Sequence, residues 1–313
     1  MSKYFCFLFA LIACCLNLVL LSSVVFLLVL FQFLWMQLIR LFGFTCDQKT
    51  FISRWIDMLI GLHSKHIRLI LTRVCGVQFD CFLPRDLSMD TSYVMVVNHR
   101  SHVDILVILA VFYDRVPDVK FFLKQSLLWV PFMGQFCYLM NYVFVKSVRS
   151  HQVRKNPTIV MQQREHIREQ CRFLVQDPVT LAIFAEGTRY SEDKAGEAGQ
   201  GRFKHLLAPQ PAGVALALEA SVPCVKYLLD VTLVYDVNFV SVWLLLSGQV
   251  RTIEVHAQAH GVDDQQLAGD YIQDRRFRKR FTAWMKSLWE KKDALLIQSL
   301  MRFRSGKVSP VSH

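Results

Sequence analysis

The chain has 313 residues, of which 53% are hydrophobic and 19% charged, and its formal net charge is +11. That charged share is too large for a polytopic transporter of this length, while a mean hydropathy of +0.30 is high for an enzyme that never meets a membrane. The positive balance suits an anionic lipid surface, an anionic substrate or nucleic acid, but no zinc-finger spacing, helix-turn-helix or aromatic ribonucleoprotein motif is present, so no nucleic-acid partner is expected.

No charged residue interrupts Tyr4 to Ile39, a stretch longer than the ~20 apolar residues that a bilayer crossing needs. Residues 1–40 are therefore expected to be a membrane-embedded helical anchor: a tilted span, a hairpin turning near Ser22 and Ser23, or a span followed by an interfacial helix. A cleaved signal peptide fits less well, because its apolar core is only ~7–15 residues long. Beyond the anchor lie Arg40, Lys49, Arg54, Lys65, Arg68 and Arg73, against Lys3 before it, which places the body on the cytoplasmic face if the segment crosses once. Residues 41–75 read as an amphipathic linker helix, with Trp55, Leu59, Leu62, His66 and Leu69 or Ile70 on one face.

Residues 76–260 change character and read as an α/β domain with a parallel or mixed sheet. Strands are expected at Tyr93–Val97, Val119–Leu123, Tyr142–Val145 and Val179–Ala185, with helices at Val103–Phe112 and over 158–175. Two apolar runs, Leu127–Val145 and Leu228–Leu246, approach the length of a span. The first holds Pro131, Gly134, Gln135 and Asn141 and the second Asp230, Asp236 and Asn238, so both are expected to be buried elements of the domain. Residues 261–313 read as a basic amphipathic C-terminal helix, packed on the domain or lying on anionic lipid. The nine cysteines are scattered without a C-x-x-C pair, which speaks for a reducing compartment and against a disulfide framework or structural zinc.

Chemistry concentrates in two loops, each directly after an expected strand, where α/β folds place their sites. The first is Asn98-His99-Arg100-Ser101-His102-Val103-Asp104. At this spacing Asp104 can hydrogen-bond one nitrogen of His99 and leave the other as a base. Two blander readings stand beside it: Asp104 as a helix cap, and His99 with His102 as half of a metal site that lacks a third ligand. The second loop is Glu186-Gly187-Thr188-Arg189. Here Gly187 permits close backbone approach, Arg189 offers a fork for phosphate, and Glu186 can lock the loop by accepting hydrogen bonds.

Together, N-H-x4-D followed by F-x-E-G-T-R resembles the glycerolipid acyltransferase family that includes the 1-acylglycerol-3-phosphate acyltransferases. The segment Phe122-Leu123-Lys124-Gln125 through Gly134 is similar to the lysine-containing stretch of that family. Lys204-His205-Leu206-Leu207 and Leu229-Asp230-Val231-Thr232 look like the branch that holds lysocardiolipin acyltransferase and the bacterial inner-membrane YihG-like proteins. Where many members carry a phosphate-binding arginine, this chain reads Phe144-Val145-Lys146-Ser147, so Lys146 or Arg149 takes that role.

The resemblance implies an α/β domain of the glycerol-3-phosphate acyltransferase type behind a membrane-embedded helical segment, at a bacterial inner membrane with its catalytic domain on the cytoplasmic face. It implies transfer of a fatty acyl group from acyl-coenzyme A or acyl carrier protein, a co-substrate, to the sn-2 hydroxyl of 1-acylglycerol-3-phosphate, forming phosphatidic acid. A lysophospholipid with a diester head group is the alternative acceptor, and a non-catalytic membrane-surface binding protein is the alternative of another class. His99 and Asp104 are the expected catalytic pair. Glu186, Gly187, Thr188, Arg189, Lys124 and Lys146 are the expected substrate-binding residues, with neither metal nor bound cofactor.

Overall fold

The structure is a computed structural model that describes residues 61–130, 142–146, 158–171, 177–197, 203–221, 224–262 and 269–305, together with positions 8, 12, 134, 137, 138 and 267. The anchor expected over 1–40, save Leu8 and Ile12, the linker before residue 61, and Arg149 lie outside the described residues. No described helix is long and apolar enough to cross a membrane.

The strands are β1 (Gln78–Phe82), β2 (Ser92–Val97), β3 (Val119–Lys124), β4 (Val143–Val145), β5 (Thr180–Phe184), β6 (Val225–Tyr235) and β7 (Thr252–Gly261). They form one seven-stranded sheet in the order β1-β7-β6-β2-β5-β3-β4. Only β6 and β7 pair antiparallel, so β6, β2, β5, β3 and β4 run in one direction and share a carboxyl edge.

The helices are α1 (Val103–Phe112), α2 (Thr158–Gln170), α3 (Glu192–Glu197), α4 (Pro211–Ser221), α5 (Val242–Leu246) and α6 (Arg275–Arg304). Residues 61–69 are also helical, and the turn Ile70–Val74 continues them. Helices cover both faces of the sheet. On β2, Tyr93, Met95 and Val97 join the core under α1 and the 61–74 helix, whereas Val94 and Val96 join the core under α4 and α6. A strand buried on both faces needs an unbroken apolar run, which is why β2 reads as one instead of alternating. Pro211 opens α4, where its missing N–H costs nothing.

Expected and observed elements coincide for α1, and to within a residue or two for β2, β3, β4 and β5. The 228–246 run is β6, a loop and α5, and much of the 127–145 run lies outside the described residues. In the described part of the linker, residues 61–75, the face that carries Leu62, His66 and Leu69 is the exposed one, and the opposite face is buried. Ser64, Ile67, Leu71 and Cys75 are buried, while Leu62 and Leu69 are more than half exposed and His66 faces solvent. Ile67, Leu71 and Cys75 join the core that α1 also buries, and Arg68 donates to the Ala110 carbonyl of α1.

The C-terminal helix α6 is packed on the domain. Asp274 caps it by accepting from the Arg276 and Phe277 amides, and Phe277, Phe281, Met285, Leu288 and Trp289 are buried against the sheet. Its most unexpected feature is Lys292, only 2% exposed. The Lys292 ammonium pairs with Asp230 and donates to the Val231 carbonyl on β6. Asp230 and Thr232 occupy the positions of β6 that face α6, between Leu228 and Val234, which pack into the same core.

Candidate active site

At the carboxyl end of β2, Asn98 extends the ladder with its side chain. The carboxamide donates to the Leu233 carbonyl at 3.1 Å and accepts from the Leu233 amide at 2.8 Å. The backbone can then leave the sheet without orphaning a buried polar group. His99 follows, held at both main-chain groups: its N–H donates to Glu186 Oε1 at 3.1 Å, and its carbonyl accepts from the Tyr190 amide at 2.8 Å. The imidazole lies on the Phe184 ring, with centroids 4.0 Å apart and planes 18° from parallel.

His99 Nδ1 is 2.8 Å from Asp104 Oδ2; the histidine side chain is 15% exposed and the carboxylate fully buried. The same Oδ2 accepts from the Arg100 amide at 2.6 Å and the Ser101 amide at 2.9 Å, and Oδ1 accepts from the Tyr235 hydroxyl at 2.6 Å. Asp104 thus turns back from the first turn of α1 to organise the loop before it. A carboxylate only accepts, so Nδ1 carries the proton and Nε2 presents its lone pair. Burial, with the neighbouring Asp104 charge, keeps the Tyr235 phenol protonated well above its ordinary range.

The second loop leaves β5 beside the first. Glu186 is 3% exposed, and its two oxygens accept from the His99 amide and, at 3.0 Å, from the Leu207 amide. Burial pushes its carboxyl up to about 8, against the pull of those two amides. Of the residues expected to bind substrate, Glu186 is therefore placed as a brace that faces inward, with both oxygens on main-chain amides. Gly187 sits at φ +68°, a conformation that side chains with Cβ seldom adopt. Thr188 Oγ1 accepts from Lys194 Nζ at 2.9 Å, and the same ammonium donates to the Arg189 carbonyl at 3.1 Å.

Arg189 is exposed and its guanidinium donates to His102 Nε2. Burial, together with the neighbouring Arg189 charge, lowers the pKa of His102. The nitrogen that half a metal site would need thus faces a cation. Among the described residues no group of three or more His, Cys, Asp or Glu is gathered.

Lys124 and Lys146 stand exposed at the carboxyl ends of β3 and β4, on the same edge as His99 but two and three strands away. At ~4.8 Å per strand that is ~10 Å and ~14 Å along the edge. The Lys146 carbonyl accepts from Gln163 on α2 at 3.1 Å, which anchors the strand end.

Several site residues were not among the expected ones. Arg100 ties three segments together by donating to the His205 carbonyl at 3.1 Å and the Asn238 carbonyl at 2.7 Å, with its guanidinium 4.9 Å from the Tyr190 ring centre. Asp293 of α6 accepts from the Lys204 and His205 amides, each at 2.8 Å, and so fixes the loop whose Leu207 amide reaches Glu186. Tyr235, Asp293 and Lys194 carry no local motif. A tyrosine closing a strand that is otherwise apolar was the one hint for Tyr235.

Residues 80–230 match the acyltransferase family. The chain is 24% identical over 290 residues to "Probable 1-acyl-sn-glycerol-3-phosphate acyltransferase 5" of Arabidopsis thaliana, covering 89% of this chain and 70% of that protein. It is 26% identical over 197 residues to "1-acyl-sn-glycerol-3-phosphate acyltransferase epsilon" of Mus musculus, covering 58% of this chain and 50% of that one. A further match, 32% identical over 137 residues, is "Uncharacterized acyltransferase C1851.02" of Schizosaccharomyces pombe, with 43% of this chain and 40% of the relative covered. The crystal structure of the 1-acyl-sn-glycerophosphate acyltransferase PlsC from Thermotoga maritima aligns with a TM-score of 0.48 and 14% identity, over 88% of this chain and 95% of that one.

Proposed function

Taking residues 80–230 as an acyltransferase domain, we propose that the chain moves a fatty acyl group from acyl-coenzyme A or acyl carrier protein to the sn-2 hydroxyl of 1-acylglycerol-3-phosphate, forming phosphatidic acid. The observation that carries this reading is the His99–Asp104 contact at 2.8 Å, made through Nδ1 at the carboxyl edge of the sheet, so that Nε2 is left for a substrate. His99 Nε2 removes the acceptor hydroxyl proton as that oxygen attacks the thioester carbonyl. The tetrahedral oxyanion then collapses, the C–S bond breaks, and the leaving thiolate takes the proton from His99. Buried Asp104 stabilises the transient imidazolium throughout.

Arg189, exposed beside this pair, holds the acceptor phosphate, and Lys194, whose ammonium donates to the Arg189 carbonyl, is a second cation for a monoester. Lys124 and Lys146 extend the positive edge beyond this pair, at the carboxyl ends of β3 and β4. The names of the Arabidopsis and mouse relatives support this acceptor. The lysocardiolipin acyltransferase and YihG-like branch, and with it a bacterial inner membrane, rests on the resemblance of the 204–207 and 229–232 segments, and the cytoplasmic orientation rests on the charges that flank the apolar N-terminal run. Ser147, where a second arginine is usual, favours a lysophospholipid diester as the competing acceptor.

The test is to give the purified full chain a panel of lysophospholipids with each donor and read products by mass spectrometry. His99→Ala should lower transfer by at least ~10²-fold, the low end of general-base catalysis. Near-normal turnover in that variant overturns the mechanism. Acylation of diesters alone replaces phosphatidic acid synthesis with phospholipid remodelling.

A further inference from the structure

Two loops on the carboxyl edge carry large apolar side chains into solvent. After β3, Trp129 is 84% exposed and Val130 39%; after β6, Phe239 is 73% exposed, Val242 39% and Trp243 58%. Phe239, Val242 and Trp243 fall at three- and four-residue spacing, while Leu245 and Leu246 of the same short helix are buried. β3 and β6 are separated in the sheet by β5 and β2, the strands that carry Glu186 and His99. The tips thus stand on either side of the candidate site, from strand ends ~14 Å apart.

Each tip has a cation beside it. Exposed Lys124 immediately precedes the turn that ends in Trp129, and Arg304 reaches Asn238, next to Phe239, at 3.4 Å. Tryptophan or phenylalanine next to a lysine or arginine is the composition of side chains that settle at a bilayer interface, with the cation at the headgroups. A second protein copy would need one continuous patch of ~800 Å² per partner, whereas here a polar catalytic mouth divides two small tips.

From this juxtaposition we propose that the carboxyl edge of the sheet docks on an anionic lipid surface through Trp129 on one side and Phe239 with Trp243 on the other. His99 then opens into the headgroup layer. The proposal rests on the acyl-transfer reading only for the identity of the lipid delivered to His99.

Because residues 1–40 are expected to hold the chain at a bilayer in any case, binding alone is not the readout. The full chain is mixed with phosphatidylcholine vesicles, with and without phosphatidylglycerol, whose acyl chains carry bromine. Wild-type tryptophan fluorescence is quenched, and Trp129→Phe and Trp243→Phe each remove part of the quenched signal, more of it on the anionic vesicles. The Trp129→Ser/Phe239→Ser double variant should lose at least roughly tenfold in transfer to a vesicle-borne acceptor, a loss smaller than full burial of two apolar side chains would give. Its transfer to a water-soluble short-chain acceptor should stay within about twofold. Unchanged quenching in both phenylalanine variants overturns the proposal, as does an equal loss on both acceptors or a chain that dimerises through these tips. Wild-type protein that is quenched as expected but transfers to neither acceptor overturns the acyl-transfer reading and leaves the docking surface standing.

Discussion

Asp104→Asn separates the charge of the buried carboxylate from its packing. Asp104 accepts four hydrogen bonds, from His99 Nδ1, the Arg100 and Ser101 amides and the Tyr235 hydroxyl. An asparagine there keeps an oxygen toward the two amides and turns its NH₂ toward Tyr235, whose hydroxyl rotates to accept. The loop is retained, and what disappears is the negative charge facing the imidazole. Loss of a working general base costs ~10²–10⁴ in rate, equivalent to ~3–5 kcal/mol of barrier. Steady-state release of free thiol at saturating donor should show kcat falling by that factor, while the circular dichroism spectrum stays that of the wild type. Tyr235→Phe is the contrasting perturbation: it keeps the charge and removes one donor to it, worth ~1.5–3 kcal/mol. That variant should lose stability of this order and less than about tenfold in kcat. Asp104→Asn turnover within tenfold of wild type, or a larger kcat loss in Tyr235→Phe than in Asp104→Asn, refutes the assignment of roles.

Glu186 has a folded-state pKa near 8 against an ordinary 4.5, so its contribution to stability is complete below the unfolded value and is lost as pH rises toward about 8. The melting midpoint should therefore fall from pH 5 to pH 8 more steeply in wild type than in Glu186→Gln, and equal slopes would contradict the buried-carboxyl account. Gly187→Ala places a Cβ whose nearest neighbour is Gln210 Cγ at 3.6 Å, so only backbone strain remains, ~1–2 kcal/mol. Urea titration checks this, and a loss well above that range would mean a steric cause. Lys292→Met strands Asp230 without its partner and should cost ~3–5 kcal/mol in denaturant unfolding, with much of it recovered when Asp230→Leu is added. A single variant as stable as wild type would show that the pair does not hold α6 to the sheet.

Sequence alone determined what depends on neighbours in the chain. The unbroken apolar runs of β2 and β5 announce strands buried on both faces, and the loops after them are visible because Asn98–Asp104 and Glu186–Arg189 follow at once. The His99–Asp104 contact was legible for the same reason, since one turn of chain brings the two together. The tertiary structure decided everything that depends on strand order and on which face a helix presents. Glu186 points inward because the Leu207 amide lies beside it, and that loop is in turn fixed by Asp293 of α6. Tyr235 reaches Asp104 because β6 pairs with β2, although 131 residues separate them in sequence. Lys124 and Lys146 share the edge with His99 yet stand strands away from it, a spacing set by the order β2-β5-β3-β4. Turn and strand preferences act over a few residues and leave a mark in each local stretch. Sheet order and helix orientation arise from burying the whole apolar surface at once, and no single stretch of sequence carries that sum.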